Sequence, residues 1–388
     1  MSGYVFISNG NKPSEEQRQS RDNIKLSNVN RPCLKTALDM GYKVFFGVNR
    51  SNPEQLKCEL PVTMYDSHTY RSITNFKDNL IAYNNLKQVV KNNNIEVIHC
   101  NTPIGGMIGR LIGKRYKIDK VIYTAHGFHF YKGAPILNRT VFKLAEKIMA
   151  HWTDAIITMN EEDYQAAKKF KLKKNGKVFK VHGVGINLNN INSIEVSKLD
   201  KRKELGLKDS DLILISAGRL DKGKNYISAI KAIANLKRTD LHYLICGVGP
   251  DENILKKLCE EYGVFNRVHF LGFRNDIIEL MKISDIFLFT SFREGLPRVT
   301  MEAMATGLPC IVSNIRGNVD LIMDSKGGFL CDSSDVKKIS EKINYLADDK
   351  NLRKKMGKYN LKEIKDYDIS FVENEIRDIY SEVLEKNK

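Results

Sequence analysis

Two carboxylates, Glu294 and Glu302, stand eight positions apart in the run FREGLPRVTMEAMATG (292–307). An ionised carboxylate is a pure hydrogen-bond acceptor, and the hydroxyls of a sugar are donors. Pro297, between the two acids, suits the first turn of a helix, where its missing N–H costs nothing. Gly307 closes that helix at a position that commonly takes left-handed dihedrals. Glu294 then lies in the loop ahead of the helix, and Glu302 more than a turn inside it. Eight helical residues rise about 12 Å, a span that can hold two ends of one elongated polar ligand. Between the acids, the free amides of the helix start offer a phosphate site. A sugar–diphosphate–ribose has that order of donor, anion and donor. Two glutamates around a short helix are more often surface charge, and an acid near a helix start also offsets the dipole. The surroundings decide between the readings.

Those surroundings are two apolar runs, DIFLFT (285–290) before the motif and LPCIV (308–312) after it. Both read as buried parallel strands. The motif is then a strand–loop–helix–strand unit whose loop sits at the carboxyl end of a strand, where open α/β sheets bind ligands. The stretch EGLPRVTMEAMATGLPCIVS resembles the E-x7-E signature of glycosyltransferase family 4, in its exopolysaccharide and capsule branch. The resemblance extends over nearly the whole chain. It implies an α/β chain of the GT-B type, two Rossmann-like domains facing a central cleft, and transfer with retention of anomeric configuration.

Composition bounds the alternatives. The chain has 388 residues, 42% hydrophobic and 28% charged, enough for two or three domains with ample core. No run approaches eighteen apolar residues, so no transmembrane helix is expected. MSGYVFISNG reads as a first strand rather than a signal peptide. Seven scattered cysteines without a C-x-x-C pair suggest reduced thiols in a cytosolic protein, with Cys100, Cys246 and Cys310 as small core residues. The net charge of +16 means affinity for something anionic, unless it is simply a solvated, lysine-rich surface. Nucleic acid is one candidate, but no RNA-binding, zinc-finger or zipper signature is present. An anionic membrane surface carrying a lipid-phosphate acceptor accounts for the charge equally well.

Along the first half, strand and helix alternate, the pattern of a parallel sheet. Strands are read at 4–7, 43–48, 96–100, 120–124 and 154–158, with helices at 30–40, 79–91, 107–116 and 138–151. Residues 102–106 read as a turn. The long polar link after the first strand carries Gly10, flanked by Asn9 and Asn11, where the family often has a glycine-rich turn. Arg18 and Arg21 in it are candidates for an acceptor phosphate, although a solvated loop explains them as well. Arg110, Lys114 and Arg115 in the 107–116 helix, with Lys117 just beyond it, stand beside Met107, Ile108, Leu111 and Ile112. That pairing suits an interfacial helix on anionic lipid, and equally a sheet-covering helix whose apolar side faces the core. IYTAHGFHFYKGAP (122–135) sets His126 and His129 past a strand end. A metal reading lacks a third ligand. With HCNTPIGG before it and NEEDYQ after it, this segment resembles the same family. The resemblance puts His126 near the reacting sugar and His129 at the acceptor pocket. VHGVGINL (181–188) matches the family's last strand and exit turn of the first domain, and the polar stretch 189–205 reads as the linker.

In the second half, strands at 212–216, 242–246 and 268–273 frame two further loops. AGRLDKGKN follows the first of them, and the resemblance assigns Arg219 and Lys224 to the donor diphosphate. A planar donor fork and a mobile point charge suit that group. GVGP behind the second strand is by itself only a tight turn. The resemblance places a nucleobase against Phe273 and Arg274, and completes the donor pocket with Gly295, Leu296, Arg298 and Val299. Phe371, Val372, Ile376, Ile379, Tyr380 and Val383 form an amphipathic stripe, which in GT-B proteins crosses back to the first domain.

The domain boundaries expected are 1–188 for the acceptor domain, 189–368 for the donor domain and 369–388 for the terminal helix. The function expected is transfer of a hexose or N-acetylhexosamine from a nucleoside diphosphate sugar, with UDP the nucleotide. The acceptor is a lipid-diphosphate-linked saccharide at the cytoplasmic face of the plasma membrane. No nucleic-acid partner, cofactor or metal is expected, since Arg219, Lys224 and the helix amides can neutralise the leaving diphosphate. A UDP-sugar epimerase on the same scaffold and a basic nucleic-acid-binding protein are the alternatives.

Overall fold

The computed structural model describes residues 1–72, 74–101 and 103–384. The chain divides into two compact units. One is Met1–Gly185 together with the segment from Ile369 onward, and the other is Ile186–Asp368. Each carries one parallel sheet, and the architecture is that of the GT-B fold.

The first sheet comprises β1 (Gly3–Ile7), β2 (Lys43–Val48), β3 (Thr63–Asp66), β4 (Ile95–Asn101), β5 (Lys120–Ala125), β6 (Ala155–Thr158) and β7 (Lys177–Lys180). Their order is β3-β2-β1-β4-β5-β6-β7. Central strands are apolar on both faces because helices cover both. On one face Val5, Ile98, Val121 and Ile156 pack with Ile104, Ile108 and Ile112 of the Pro103–Arg115 helix. On the other, the His99 ring meets those of Tyr4 and Phe6, and Tyr4 and His99 meet Tyr380 of the Ile369–Leu384 helix. Tyr380 Oη lies 2.5 Å from both Tyr4 Oη and His99 Nδ1. That helix packs against Arg31–Asp39 of the same unit.

Several expectations are corrected here. The 102–106 turn fails over 103–106, which form the first turn of the Pro103–Arg115 helix; Thr102 lies outside the described residues. The same helix does not present an apolar face to lipid. A Cβ on Gly106 would fall 2.4 Å from the Tyr123 ring and one on Gly113 2.5 Å from Val121, so the glycine side lies directly on the sheet. Arg110 shares that side and is wholly buried. Its guanidinium sits 3.8 Å from the Tyr123 ring centroid, and Nη1 donates to Glu146 at 2.7 Å. Lys114 covers the Trp152 ring. The last strand of this sheet is β7, ahead of the 181–188 stretch read as strand and exit turn, where 181–187 is irregular. The edge strands β3 and, below, β13 went unread in the sequence.

The second sheet comprises β8 (Leu212–Ala217), β9 (Leu241–Cys246), β10 (Val268–Gly272), β11 (Ile286–Phe289), β12 (Cys310–Ser313) and β13 (Gly328–Cys331), in the order β10-β9-β8-β11-β12-β13. One apolar cluster covers each face. The stretch read as a linker, 189–205, instead holds most of the helix Leu188–Ser193 and all of Lys198–Glu204. Arg202 there is buried and donates to the Ile283, Asp209 and Asp211 carbonyls and to Asp285 Oδ2. Its polar sequence hid this role, because three of these partners are backbone oxygens and the carboxylate of Asp285 is far along the chain. In both sheets the winding reverses beside the first strand, between β1 and β4 and between β8 and β11. Such switch points open a crevice at the strand carboxyl ends.

Candidate active site

At the β8/β11 switch, the loops after the two strands are stitched together. The Phe292 N–H donates to the Gly223 carbonyl at 2.9 Å, and Asn225 Nδ2 donates to the Thr290 carbonyl at 3.1 Å. Thr290 Oγ1 returns a bond to the Asn225 carbonyl at 2.8 Å. Asn225 has φ +51°, a left-handed conformation that asparagine adopts more readily than most residues. This stitching brings Lys224 Nζ within 2.7 Å of Glu294 Oε1, with both side chains mostly buried. The same ammonium lies 4.9 Å from the Phe289 ring centroid. Two residues from separate sequence motifs thus meet as one ion pair.

Arg219 takes the opposite disposition. Its side chain is 65% exposed, with Nε 3.5 Å from Asp221 Oδ2. It lines a cavity of about 670 Å³ with Val248, Pro250, Phe273, Arg274 and Ile277. Phe273 presents an exposed ring there. Arg274 is committed to Asp276 through two bonds of 2.7 and 2.5 Å, which leaves it a fixed planar wall more than a mobile anion ligand. The floor is backbone. Gly218 N–H donates to the Cys246 carbonyl, and a Cβ on Gly247 would fall 1.9 Å from Gly218 O. GVGP is therefore a site of close chain approach as well as a turn.

The E-x7-E helix spans Arg298–Ala305, with Pro297 at its N-cap, one position ahead of the first turn. Glu302 is its fifth residue. Its Oε1 accepts from Arg298 Nε at 2.9 Å, and burial raises its carboxyl above the usual range against the pull of that arginine. Leu296 and Val299 pack on the core beneath. Gly295 is gripped from behind, since a Cβ on Gly317 would sit 2.3 Å from its carbonyl oxygen. Arg316, nearly buried, donates from Nε to the Glu294 carbonyl at 3.0 Å. Sequence reasoning missed Arg316, Gly317 and Asn225 as residues that shape these loops. The signal available was the run SNIRGN directly after a predicted strand.

In the first unit, His126 follows β5. Its Nε2 donates to Asn101 Oδ1 at 2.9 Å, which leaves Nδ1 as the acceptor nitrogen. Burial, helped by the Arg71 guanidinium, pushes its pKa down to about 4, so the ring is neutral at pH 7. His129 instead packs by the Phe142 ring, 5.3 Å between centroids. Arg18 is bonded to Asp66 and to Tyr70. Gly10 of the first loop bridges to Tyr70. Among the described residues no group of three or more His, Cys, Asp or Glu is placed to hold a metal ion.

Comparison with known proteins decides the family. Residues 197–363 match the family described as glycosyl transferases group 1, and residues 11–160 match glycosyl transferase 4-like proteins. EpsD of Bacillus subtilis (strain 168), which carries a glycosyltransferase name, is 35% identical over 310 residues, covering 78% of this chain and 81% of that one. The chain belongs to the family 4 glycosyltransferases. This glycosyltransferase is also 30% identical over 320 residues to an Escherichia coli protein, covering 81% of this chain and 82% of that one. That protein is named UDP-Gal:alpha-D-GlcNAc-diphosphoundecaprenol alpha-1,3-galactosyltransferase. Among solved structures, Anabaena Alr3699/HepE in complex with UDP superposes with a TM-score of 0.76 at 17% identity, over 98% of this chain and 100% of that one. Sucrose-phosphate synthase from Thermosynechococcus elongatus gives 0.78 at 17% identity, over 99% of both chains. These likenesses establish the GT-B fold of the glycosyltransferase.

Proposed function

We propose that this glycosyltransferase moves a hexose or N-acetylhexosamine from a UDP-sugar to a lipid-diphosphate-linked saccharide, with retention of anomeric configuration, in surface polysaccharide synthesis. It would act from the cytoplasmic face of an anionic membrane. The observation that carries the reading is the Lys224–Glu294 pair, 2.7 Å apart beside the amino end of the Arg298–Ala305 helix. A donor diphosphate there would meet the ammonium, the exposed Arg219 fork and the helix amides. Fixed cations and dipoles that face a departing phosphate stabilise charge as it develops, without reorganisation. Glu294 would accept hydroxyls of the sugar and Glu302 those of the ribose, while Phe273 would stack on the base. The neutral His126 offers Nδ1 as an acceptor to a sugar hydroxyl. No carboxylate is assigned as a nucleophile to the sugar's far face. A front-side displacement, in which the leaving phosphate takes the acceptor proton, therefore fits best.

Relatives support the acceptor class by name. Besides the galactosyltransferase above, a Campylobacter jejuni N,N'-diacetylbacillosaminyl-diphospho-undecaprenol alpha-1,3-N-acetylgalactosaminyltransferase is 28% identical over 309 residues, covering 77% of this chain and 80% of that one. A panel of nucleotide sugars with a polyprenyl-diphosphate saccharide tests the proposal. Transfer from one UDP-sugar with an axial product linkage from an axial donor is expected. Inversion of the linkage, or turnover only with a non-UDP donor, would refute it.

A further inference from the structure

We infer that the segment running through the Lys143–Ala150 helix is the face by which the protein lies on an anionic bilayer. The inference rests on the membrane reading above and names the surface that carries it. Leu137, Val141, Leu144 and Ile148 are 66, 53, 59 and 49% exposed. They recur at helical spacing over about three turns. Among the described residues no apolar partner covers this stripe, and solvent exposure of four large apolar side chains in a row marks an interaction surface.

The charge around the stripe selects the occupant. Arg139, Lys143 and Lys147 alternate with the apolar residues along the same segment, and all three are exposed. The acid of the Lys143–Ala150 helix, Glu146, is turned inward to Arg110. A cavity of about 560 Å³, lined in part by Lys132, Arg139 and Lys143, opens beside the first turns. Apolar residues beside cations, with room for a phosphate headgroup among them, are how an interfacial helix holds to acidic lipid. A protein partner of opposite charge would need acids that this face does not itself select by shape. A smaller exposed group, Phe76, Leu80 and Ile81, heads the Phe76–Asn92 helix, but it spans little more than one turn.

Co-sedimentation with vesicles of phosphatidylcholine alone, or mixed equally with phosphatidylglycerol, tests this. The full chain is expected to bind the mixed vesicles only. Leu137→Ser/Val141→Ser/Leu144→Ser/Ile148→Ser is expected to lower binding tenfold or more, and Arg139→Gln/Lys143→Gln/Lys147→Gln to remove the acidic-lipid preference. Lys114→Gln/Arg115→Gln/Lys117→Gln and Phe76→Ser/Leu80→Ser are expected to bind as the unaltered chain. Unchanged circular dichroism and UDP binding would show that each variant is folded. Trp152, the single tryptophan of the chain, adjoins this helix, and its fluorescence should change on adding mixed vesicles. Failure of the unaltered chain to bind mixed vesicles would sink the membrane reading itself. Binding that survives the four-serine change would leave that reading standing and overturn this face. A dimer of the unaltered chain, lost in the same variant during sedimentation velocity, would assign the face to a second copy and also overturn the inference.

Discussion

Lys224 and Glu294, seventy residues apart in sequence, form a 2.7 Å ion pair that ties the loop after β8 to the loop after β11. A pair so placed joins a cation suited to phosphate to an acceptor suited to a hydroxyl, so the two are expected to act as one unit. Lys224→Ala is expected to lower kcat about a hundredfold, as for loss of one charge-stabilising donor. Glu294→Ala should also lower kcat, and the double variant should lose clearly less than the product of the two. Steady-state kinetics of the four-protein cycle measures the coupling. Multiplicative losses would show the two residues acting separately.

Arg219 tests the diphosphate from the exposed side. Arg219→Ala should cost about a hundredfold in kcat, comparable to removing a charged donor from a transition state. Near-unaltered kinetics would remove Arg219 from the donor site.

Glu302 differs from Glu294 by position. Partly buried on the helix and held by Arg298, it is expected to act through donor affinity. Glu302→Gln should raise the donor KM with kcat little changed, whereas Glu294→Gln should lower kcat. Turnover abolished by Glu302→Gln at unaltered donor affinity would reverse the two roles.

The Arg110–Glu146 pair is structural. Arg110→Ala leaves a carboxylate beside the core without its partner and is expected to destabilise the protein by about 3–5 kcal/mol. Denaturant unfolding measures this, and vesicle binding of the folded fraction should be unaffected.

Buried histidines set an acid limit. Burial pushes the pKa of His99 from 6.5 down to about 3. The native ring stays neutral while the unfolded ring takes up a proton below 6.5. The stability it contributes is therefore complete above pH 6.5 and is lost as pH falls toward 3. At pH 5 the loss is about 2 kcal/mol, at 1.36 kcal/mol per pKa unit. His99→Gln should flatten the dependence of unfolding free energy on pH between 7 and 5. An equal slope in both proteins would refute the assignment. His126, pushed down to about 4, stays neutral across pH 5–8 and should impose no break on kcat/KM in that range.

The sequence made the sheet centres legible and the supporting contacts illegible. Runs such as LILISA and DIFLFT announce strands because both faces are covered, and the E-x7-E motif announces the loop beside β11. Arg110 could not be placed, since an arginine beside lysines reads as solvated until the glycines that seat its helix on the sheet are seen. Arg202 and Arg316 were hidden for a related reason. Both donate to carbonyl oxygens, which every residue has, so side-chain patterns point only weakly to them. All of the exposed stripe but Leu137 fell within the helix read at 138–151, but periodicity alone does not say which face is covered.

The Ile369–Leu384 helix completes the first unit, yet it follows the entire second unit along the chain. During synthesis, therefore, the second unit emerges whole while the first still lacks the helix that supplies Tyr380 to Tyr4 and His99. Folding order is then the reverse of chain order at this point: the unit begun first is closed last. Until Tyr380 arrives, Tyr4 and His99 lack the hydroxyl that bonds them both.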